Sequence, residues 1–213
     1  MVSKINGDLA ETTLDIQFKT LGDRETEVAF KLPLPAFASI TGYSLDIKGK
    51  MIPAVVVPKE TARDALESLE SRGVDPALAE LTQNNQFQTE IYPVSKNNPR
   101  RIQIRYQELL QKVNDEYRYR VPLDLLGQFK HFSLDIEVDA ATSIQYPQDS
   151  AISQKLIRQY KTNKGRQVLR FNADNFSTQT EFALNVAADV KPRLQVQLAK
   201  DEQVFFRLPL DAR

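Results

Sequence analysis

The sequence predicts a mainly β protein, a two-sheet β-sandwich of about a dozen short strands with one inserted amphipathic helix. Apolar and polar residues alternate in many short segments, and turn-forming Gly, Pro, Asn and Asp residues separate those segments. Only one stretch has a clear helical period. Because an all-β chain of 213 residues can form a single domain, we expect one domain over 1–213. The strands of 130–210 would complete that sandwich or form a small second one.

The strands before the helix have the alternation of a half-buried sheet. In the first of them Leu14, Ile16 and Phe18 share one face. Pro33 and Pro35 end the second strand, because proline cannot donate a ladder hydrogen bond. The predicted strands of this part are 12–18, 27–34, 39–47 and 51–57.

One region has the period of a helix. Pro58 suits the first helical turn, and Gly73 suits the position just after the last turn. Between them an apolar stripe recurs at steps of three and four residues, formed by Ala62, Ala65, Leu66 and Leu69. We predict an amphipathic helix over 58–72 and a short following helix that begins at Asp75.

Strands resume after this region. The strand over 101–110 has Ile102, Ile104 and Tyr106 on one side and basic or amide residues on the other. The pattern over 150–160 also permits a helix. The predicted strands after the helix are 87–94, 101–110, 116–121, 131–138, 143–146, 167–171, 180–186, 194–198 and 203–208.

The composition limits the classes of partner. Lys+Arg and Asp+Glu both number 28, so no net charge favours nucleic acid or an anionic membrane. No cysteine is present, which excludes disulfides and thiolate metal sites. No apolar run approaches the roughly 20 residues that span a bilayer. We therefore predict no nucleic-acid partner and no membrane insertion of this chain.

Four segments, in their order along the chain, resemble the vault protein inter-alpha-trypsin (VIT) domain. The first, INGDLAETTLDIQF, is similar to the first strands of that family, and KETARDALE is similar to its helix start through Ala62 and Arg63. The resemblance covers residues 5–124. Its four segments are 5–18, 27–52, 59–67 and 87–110.

The resemblance implies a non-catalytic module for protein–protein interaction or scaffolding. It also implies a von Willebrand factor A domain downstream, in an exported or surface protein whose export signal lies outside this fragment. A cytoplasmic location is the alternative, since the first residues, MVSKINGDLAE, lack the apolar core of a signal peptide. The charged residues that we predict to contact the partner are Arg63, Glu67, Glu70, Arg101 and Arg105.

Catalytic motifs are absent from the sequence. The only histidine, His131, has no cysteine or second histidine to form a zinc site and no evident nucleophile to activate. No Gly-rich phosphate loop, nucleophile elbow or His-Glu-x-x-His is present. We therefore predict a protein that is not an enzyme and has no catalytic residue and no cofactor.

Three carboxylates fall on one face of a predicted strand, namely Asp135, Glu137 and Asp139. Hard cations prefer several oxygen ligands, which such a face could supply. The same spacing arises from ordinary alternation of apolar and polar residues on a solvated sheet. We favour the solvated face and predict no metal site.

A basic stretch lies near the C-terminal end of the chain. Its cations are Lys155, Arg158, Lys161, Lys164, Arg166 and Arg170. Such a set can bind phosphate or sulfate groups. The alternative function is therefore a carbohydrate- or polyanion-binding β-sandwich that uses residues 155–170.

Overall fold

The structure, a computed structural model, is almost entirely β. It describes residues 1–47, 49–54, 79–81, 85–121, 123, 127–139, 142–147, 152–161, 165–177, 182–188, 195–198 and 204–207. These residues form strands in four sheets and a 3-10 turn at Ser153–Lys155, so the chain is mainly β as predicted, but the described strands are not divided into the two sheets that the sequence predicted. None of them belongs to a helix with the length and apolarity that a membrane crossing requires.

The strands are short and follow one another closely. In chain order they are β1 (Val2–Asn6), β2 (Leu9–Phe18), β3 (Thr26–Pro33), β4 (Ala38–Ile47), β5 (Lys50–Ala54), β6 (Ala79–Leu81), β7 (Gln86–Val94), β8 (Arg100–Leu109), β9 (Gln111–Val113), β10 (Glu116–Val121), β11 (Phe129–Asp139), β12 (Ile144–Gln145), β13 (Ile157–Lys161), β14 (Arg166–Phe176), β15 (Phe182–Ala187), β16 (Gln195–Leu198) and β17 (Val204–Arg207).

One large sheet organises the fold. Its eight strands have the order β13-β14-β11-β1-β2-β8-β4-β5. A four-stranded sheet has the order β12-β15-β10-β9, a three-stranded sheet has the order β3-β7-β6, and β16 pairs with β17 in a sheet of two. The strand β1 pairs antiparallel with β2 and parallel with β11, so it joins early and late parts of the chain in one sheet.

The four-stranded sheet and the three-stranded sheet cover the same face of the large sheet. One core cluster joins the β14-β11-β1 end of that face to the four-stranded sheet, and its aromatic members are Tyr119, Phe132, Phe171 and Phe182. A second cluster joins the β8-β4 end to the three-stranded sheet, and its aromatic members are Tyr43, Phe87 and Tyr106. Burial of these apolar side chains is the main force that holds the sheets together.

Local sequence explains the hairpins that position the strands. Gly7 has φ of +61°, which suits the two-residue turn between β1 and β2. Asn114 and Asp115 have φ of +50° and +62°, as a type I′ turn requires, and they join β9 to β10. Asn and Asp accept this left-handed conformation more readily than other residues with a side chain. Lys112 Nζ lies 3.1 Å from Asp115 Oδ1 across the same turn.

Two helix predictions are wrong where the structure describes the residues. The short following helix was expected to include Ala79–Leu81, which instead form β6 beside β7. The helix permitted over 150–160 is replaced from Ile157 by β13, which pairs with β14. In both places pairing with a neighbouring strand outweighs the local preference. The predicted helix over 58–72 lies outside the described residues, and the division into domains stays a prediction.

Candidate functional site

Glu108 is the one charged residue on the inward face of β8. The residues at alternate positions before it, Ile102, Ile104 and Tyr106, are all buried, and the side chain of Glu108 is itself only 5% exposed. In register, Glu108 lies between Ala10 on β2 and Ala38 on β4. Both neighbours are small residues that belong to the core clusters.

The environment of this carboxylate is poorly matched to a negative charge. Within the part of the chain that the structure describes, Glu108 Oε1 is buried and has no hydrogen-bond partner. Burial raises the pKa of Glu108 to about 7, far above its ordinary value. Glu108 therefore changes its charge near neutral pH.

A polar seam separates the two core clusters; we define it as Ser3, Thr12, Glu108 and the hydroxyl of Tyr119. Tyr119 Oη lies 2.6 Å from Ser3 Oγ and 2.9 Å from Thr12 Oγ1, and Thr12 Oγ1 donates to Ser3 Oγ at 3.3 Å. Burial raises the pKa of Tyr119 and of neighbouring Tyr106, which keeps both phenols neutral. The hydroxyls of the seam satisfy one another, whereas Glu108 Oε1 does not share in these bonds.

Glu108 opens into a cleft of about 620 Å³, which we call the Glu108 cleft. One wall is the segment between β3 and β4, and the other is formed by the end of β8 with β9 and β10. The lining residues are Pro33, Leu34, Pro35, Ala36, Glu108, Leu109, Leu110, Gln111, Val113, Arg118 and Arg120. The volume falls in the range of ordinary ligand sites.

Asn85 holds the first wall in place. Its backbone carbonyl accepts a hydrogen bond from Leu34 N at 3.0 Å, and its side-chain Nδ2 donates to the Pro35 carbonyl at 2.8 Å. Ala38 N also donates to the Pro35 carbonyl, at 3.1 Å. These bonds fix a segment in which two prolines have already restricted the backbone.

Exposed apolar side chains surround the cleft. Leu109 is 46% exposed and Val113 is 54% exposed, and both line it. Phe37, which follows the lining residue Ala36, is 68% exposed and has φ of +63°. A bulky residue in that conformation is strained. Grouped exposed apolar residues are typical of sites that contact another molecule.

Two of the predicted partner residues, Arg101 and Arg105, lie on the other side of the large sheet. Arg101 donates to Asp15 through Nε at 2.6 Å and Nη2 at 2.5 Å, and these bonds lower the pKa of Asp15. The guanidinium of Arg105 lies over Gly42, where an added Cβ would come within 2.8 Å of it. Arg63, Glu67 and Glu70 lie outside the described residues, so a common surface for the set stays a prediction.

The three carboxylates of β11 also face outward. Asp135 accepts two hydrogen bonds from Arg170, from Nε and Nη2, each at 2.8 Å. Glu137 and Asp139 lie beside it on the same strand face. Among the described residues no group of three or more His, Cys, Asp or Glu side chains is arranged to hold a metal ion.

Two cations of the predicted basic stretch already have partners on the chain. Arg170 is paired with Asp135, and Arg166 Nη2 donates to Asn6 Oδ1 at 2.6 Å. Lys155 is exposed. Arg158 and Lys161 belong to β13, where only the backbone is described, and Lys164 lies outside the described residues. His131 Nδ1 lies 2.6 Å from Asp174 Oδ1 at an exposed position.

Sequence reasoning missed Glu108, although a signal was present. The alternation that we read through Ile102, Ile104 and Tyr106 assigns position 108 to the same inward face if it is continued for one more step. A charged residue at an inward position is uncommon unless it is paired or has a function. Continuing the period would therefore have identified it.

Comparison with known proteins supports the family predicted from the sequence. The family model described as the vault protein inter-alpha-trypsin domain matches residues 1–106. The chain is 26% identical over 140 residues to inter-alpha-trypsin inhibitor heavy chain H3 of Homo sapiens, covering 64% of this chain and 15% of that protein. It is 25% identical over 177 residues to heavy chain H4 of Bos taurus, covering 79% of this chain and 19% of that protein.

A solved structure has a related fold. It is a putative nutrient binding protein from Legionella pneumophila, which has a TM-score of 0.50 and 11% identity and covers 87% of this chain and 64% of that one. At 11% identity, the likeness to this structure concerns the fold alone. The chain spans less than a fifth of the length of the two heavy chains that it matches. The matched segment includes β1 to β7 and most of β8, and it ends two residues before Glu108. Residues 1–106 belong to the vault protein inter-alpha-trypsin domain family.

Proposed function

We propose that this chain is a non-catalytic protein-interaction module that binds a partner protein or a neighbouring domain at the Glu108 cleft. The observation that carries the proposal is the cleft itself, in which exposed Leu109 and Val113 lie beside a buried carboxylate atom that has no hydrogen-bond partner within the described part of the chain. Apolar surface of this kind gains free energy when a partner removes it from water. The VIT match supports an interaction role over a catalytic one.

The wider setting of the module is part of the same proposal. A von Willebrand factor A domain would follow it in the parent protein, and the parent would be exported or attached to the cell surface. Support comes from the match to the VIT family and from the similarity to inhibitor heavy chains, which are several times longer than this chain. Labelling of intact cells with a reagent that does not cross membranes tests the location.

The polyanion-binding alternative draws its support from the sequence. Arg170 is paired with the carboxylate of Asp135, which lowers the positive charge that it offers to a polyanion, whereas Arg166 donates to the neutral amide of Asn6. Retention of the chain on immobilised heparin at physiological salt would favour this alternative.

Photo-crosslinking tests the proposed surface. Benzoylphenylalanine placed at Val113, inside the cleft, should form a covalent adduct with the partner or neighbouring domain when the parent protein is irradiated. The matched control is the same group at Leu21, which is 98% exposed and does not line the cleft. Equal adducts at both positions, or none at Val113, would contradict the proposal.

A charge variant separates the cleft from the outer face of the large sheet. Arg105→Glu reverses a charge in the predicted set of partner residues without altering the cleft lining. If the cleft is the binding surface, the adduct at Val113 persists in this variant. Loss of the adduct, with the fold intact by circular dichroism, would instead favour the outer face.

A further inference from the structure

We propose that the Glu108 cleft binds an extended segment of a partner protein, which adds to β9 as a strand and places a Lys or Arg side chain against Glu108. This inference rests on the proposed function and specifies the chemistry of the partner. It follows from the state of Glu108, the open edge beside it and the charges at the rim of the cleft.

The carboxylate of Glu108 defines the first requirement. Its Oε1 is buried and without a hydrogen-bond partner in the described residues, a state that costs free energy until a donor reaches it. Burial is the cause of its raised pKa. An ammonium or guanidinium group of a partner would supply both the missing charge and the missing donor.

The cleft provides the space for such a group, because Glu108 is one of its lining residues. The stem of a Lys or Arg side chain is apolar and suits a path past Leu34 and Leu110, which line the cleft.

The edge strand β9 defines the second requirement. Among the described strands it is the last of its sheet and pairs with β10 alone, and all three of its residues are exposed. A strand at the edge of a sheet presents backbone groups to which an extended peptide can pair. Leu109 and Val113 would contact alternate side chains of that peptide.

The rim of the cleft defines the third requirement. Arg118 and Arg120 extend from the exposed face of β10 and line the cleft with Glu108. Their positive charges repel a uniformly basic segment and favour acidic residues near the cation. The complementary segment therefore has one Lys or Arg between acidic residues, in an otherwise β-forming sequence.

Fluorescence anisotropy with synthetic peptides tests this inference. The probe is a labelled peptide of about nine alternating Thr and Val residues, with a central Lys and an Asp two positions to each side. One comparison peptide has norleucine in place of Lys, and a second has Asp there. Binding to the full chain is measured at pH 6 and pH 8.

The Lys peptide should bind about tenfold more tightly at pH 8 than at pH 6, because Glu108 is ionised in a larger fraction of the molecules. The two phenols that interact with Glu108, those of Tyr106 and Tyr119, do not titrate in this range, because burial raises the pKa of both. Glu108→Gln should weaken binding about tenfold at pH 8 and abolish the pH dependence.

The control variant is Glu11→Gln, at an exposed glutamate on the opposite face of the large sheet, and it should change neither affinity nor pH dependence. The inference is overturned if the norleucine peptide binds as tightly as the Lys peptide, or if Glu108→Gln leaves binding unchanged. Tighter binding of the Asp peptide than of the Lys peptide at pH 6 would also overturn it, since protonated Glu108 would then donate to an anion. If the peptides fail but the Val113 adduct forms, the interaction module stands and the occupant has other chemistry.

Discussion

At the scale of single residues, Glu108 departs most from what the fold requires. It interrupts a buried apolar series, and one of its oxygens has no hydrogen-bond partner among the described residues. A stabilising residue at this position would be apolar, because a buried charge without a partner lowers stability. Its presence is therefore better explained by binding than by folding.

The charge of Glu108 predicts an unusual pH dependence of stability. The pKa of its carboxyl is about 7 in the folded chain and near 4.5 when unfolded, so the folded state binds more protons between those values. Stability should therefore fall as pH rises from about 4.5 to 7, by up to about 3 kcal/mol. Glu108→Gln removes this titration, and urea unfolding at a series of pH values measures the difference between variant and wild type.

We expect the two proteins to have similar stability near pH 4.5 and the glutamine variant to be the more stable above pH 7. Glu11→Gln is again the control, because its carboxylate is exposed. Parallel curves for the Glu108→Gln variant and the wild type across the whole range would show that Glu108 is not buried as the structure describes.

At the scale of elements, one tyrosine hydroxyl links the four-stranded sheet to the large sheet, and another links the three-stranded sheet to it. Tyr119 reaches from β10 to Ser3 and Thr12 on β1 and β2. Tyr43 reaches from β4 to Thr89 on β7, where the two hydroxyl oxygens are 3.0 Å apart. These bonds fix how the apolar faces sit on one another, because hydrophobic contact alone is not directional.

Removal of either hydroxyl should lower the free energy of unfolding by about 1–2 kcal/mol. Without the Tyr119 hydroxyl, Ser3 and Thr12 lose a buried hydrogen-bond partner, and without the Tyr43 hydroxyl, Thr89 loses one. Tyr119→Phe and Tyr43→Phe affect different core clusters and share no hydrogen-bond partner. Their effects should add in the double variant to within about 0.5 kcal/mol. Tyr92→Phe, at a position that is 48% exposed, is the control and should have almost no effect.

The sequence predicts strands well where one face is uniformly apolar, and less well where inward positions are polar. The alternation in β2, β8 and β11 identifies those strands. The central strand β1 was missed because one of its two buried residues is the polar Ser3, whose hydroxyl is satisfied by Tyr119 and Thr12. A hydrogen bond between residues 116 positions apart leaves no local pattern.

At the scale of the whole molecule, the candidate site combines parts that sequence reasoning treats separately. The cleft brings the Pro33–Ala36 segment, inside the family match, against β9 and β10, which follow it. Family resemblance predicted the kind of module, and periodicity predicted most of its strands. Neither could bring these segments together, because the order of strands in the sheets is set by long-range packing. Of the charges that we selected from the sequence as partner contacts, Arg101 and Arg105 lie on the outer face of the large sheet and do not line this cleft.

The shared sheet and the two core clusters lead to a prediction about domain organisation. Leu134, in the first cluster, and Ile102, in the second, are both fully buried. Leu134→Ala and Ile102→Ala should each cost about 2–5 kcal/mol through lost burial and a residual cavity. If the chain is one domain, both variants should unfold in a single transition with urea.

Hydrogen exchange by mass spectrometry distinguishes one cooperative unit from two. Because β1 pairs with both β2 and β11, loss of packing in one cluster should also weaken strands that carry the other. In a single domain, Leu134→Ala accelerates exchange in β4 and β7 as well as in β11 and β14, and Ile102→Ala does the reverse. Ser39→Ala, at an exposed position of β4, is the control for local effects. Acceleration confined to the mutated cluster would instead divide the chain into two domains, with β1 as the strand that joins them.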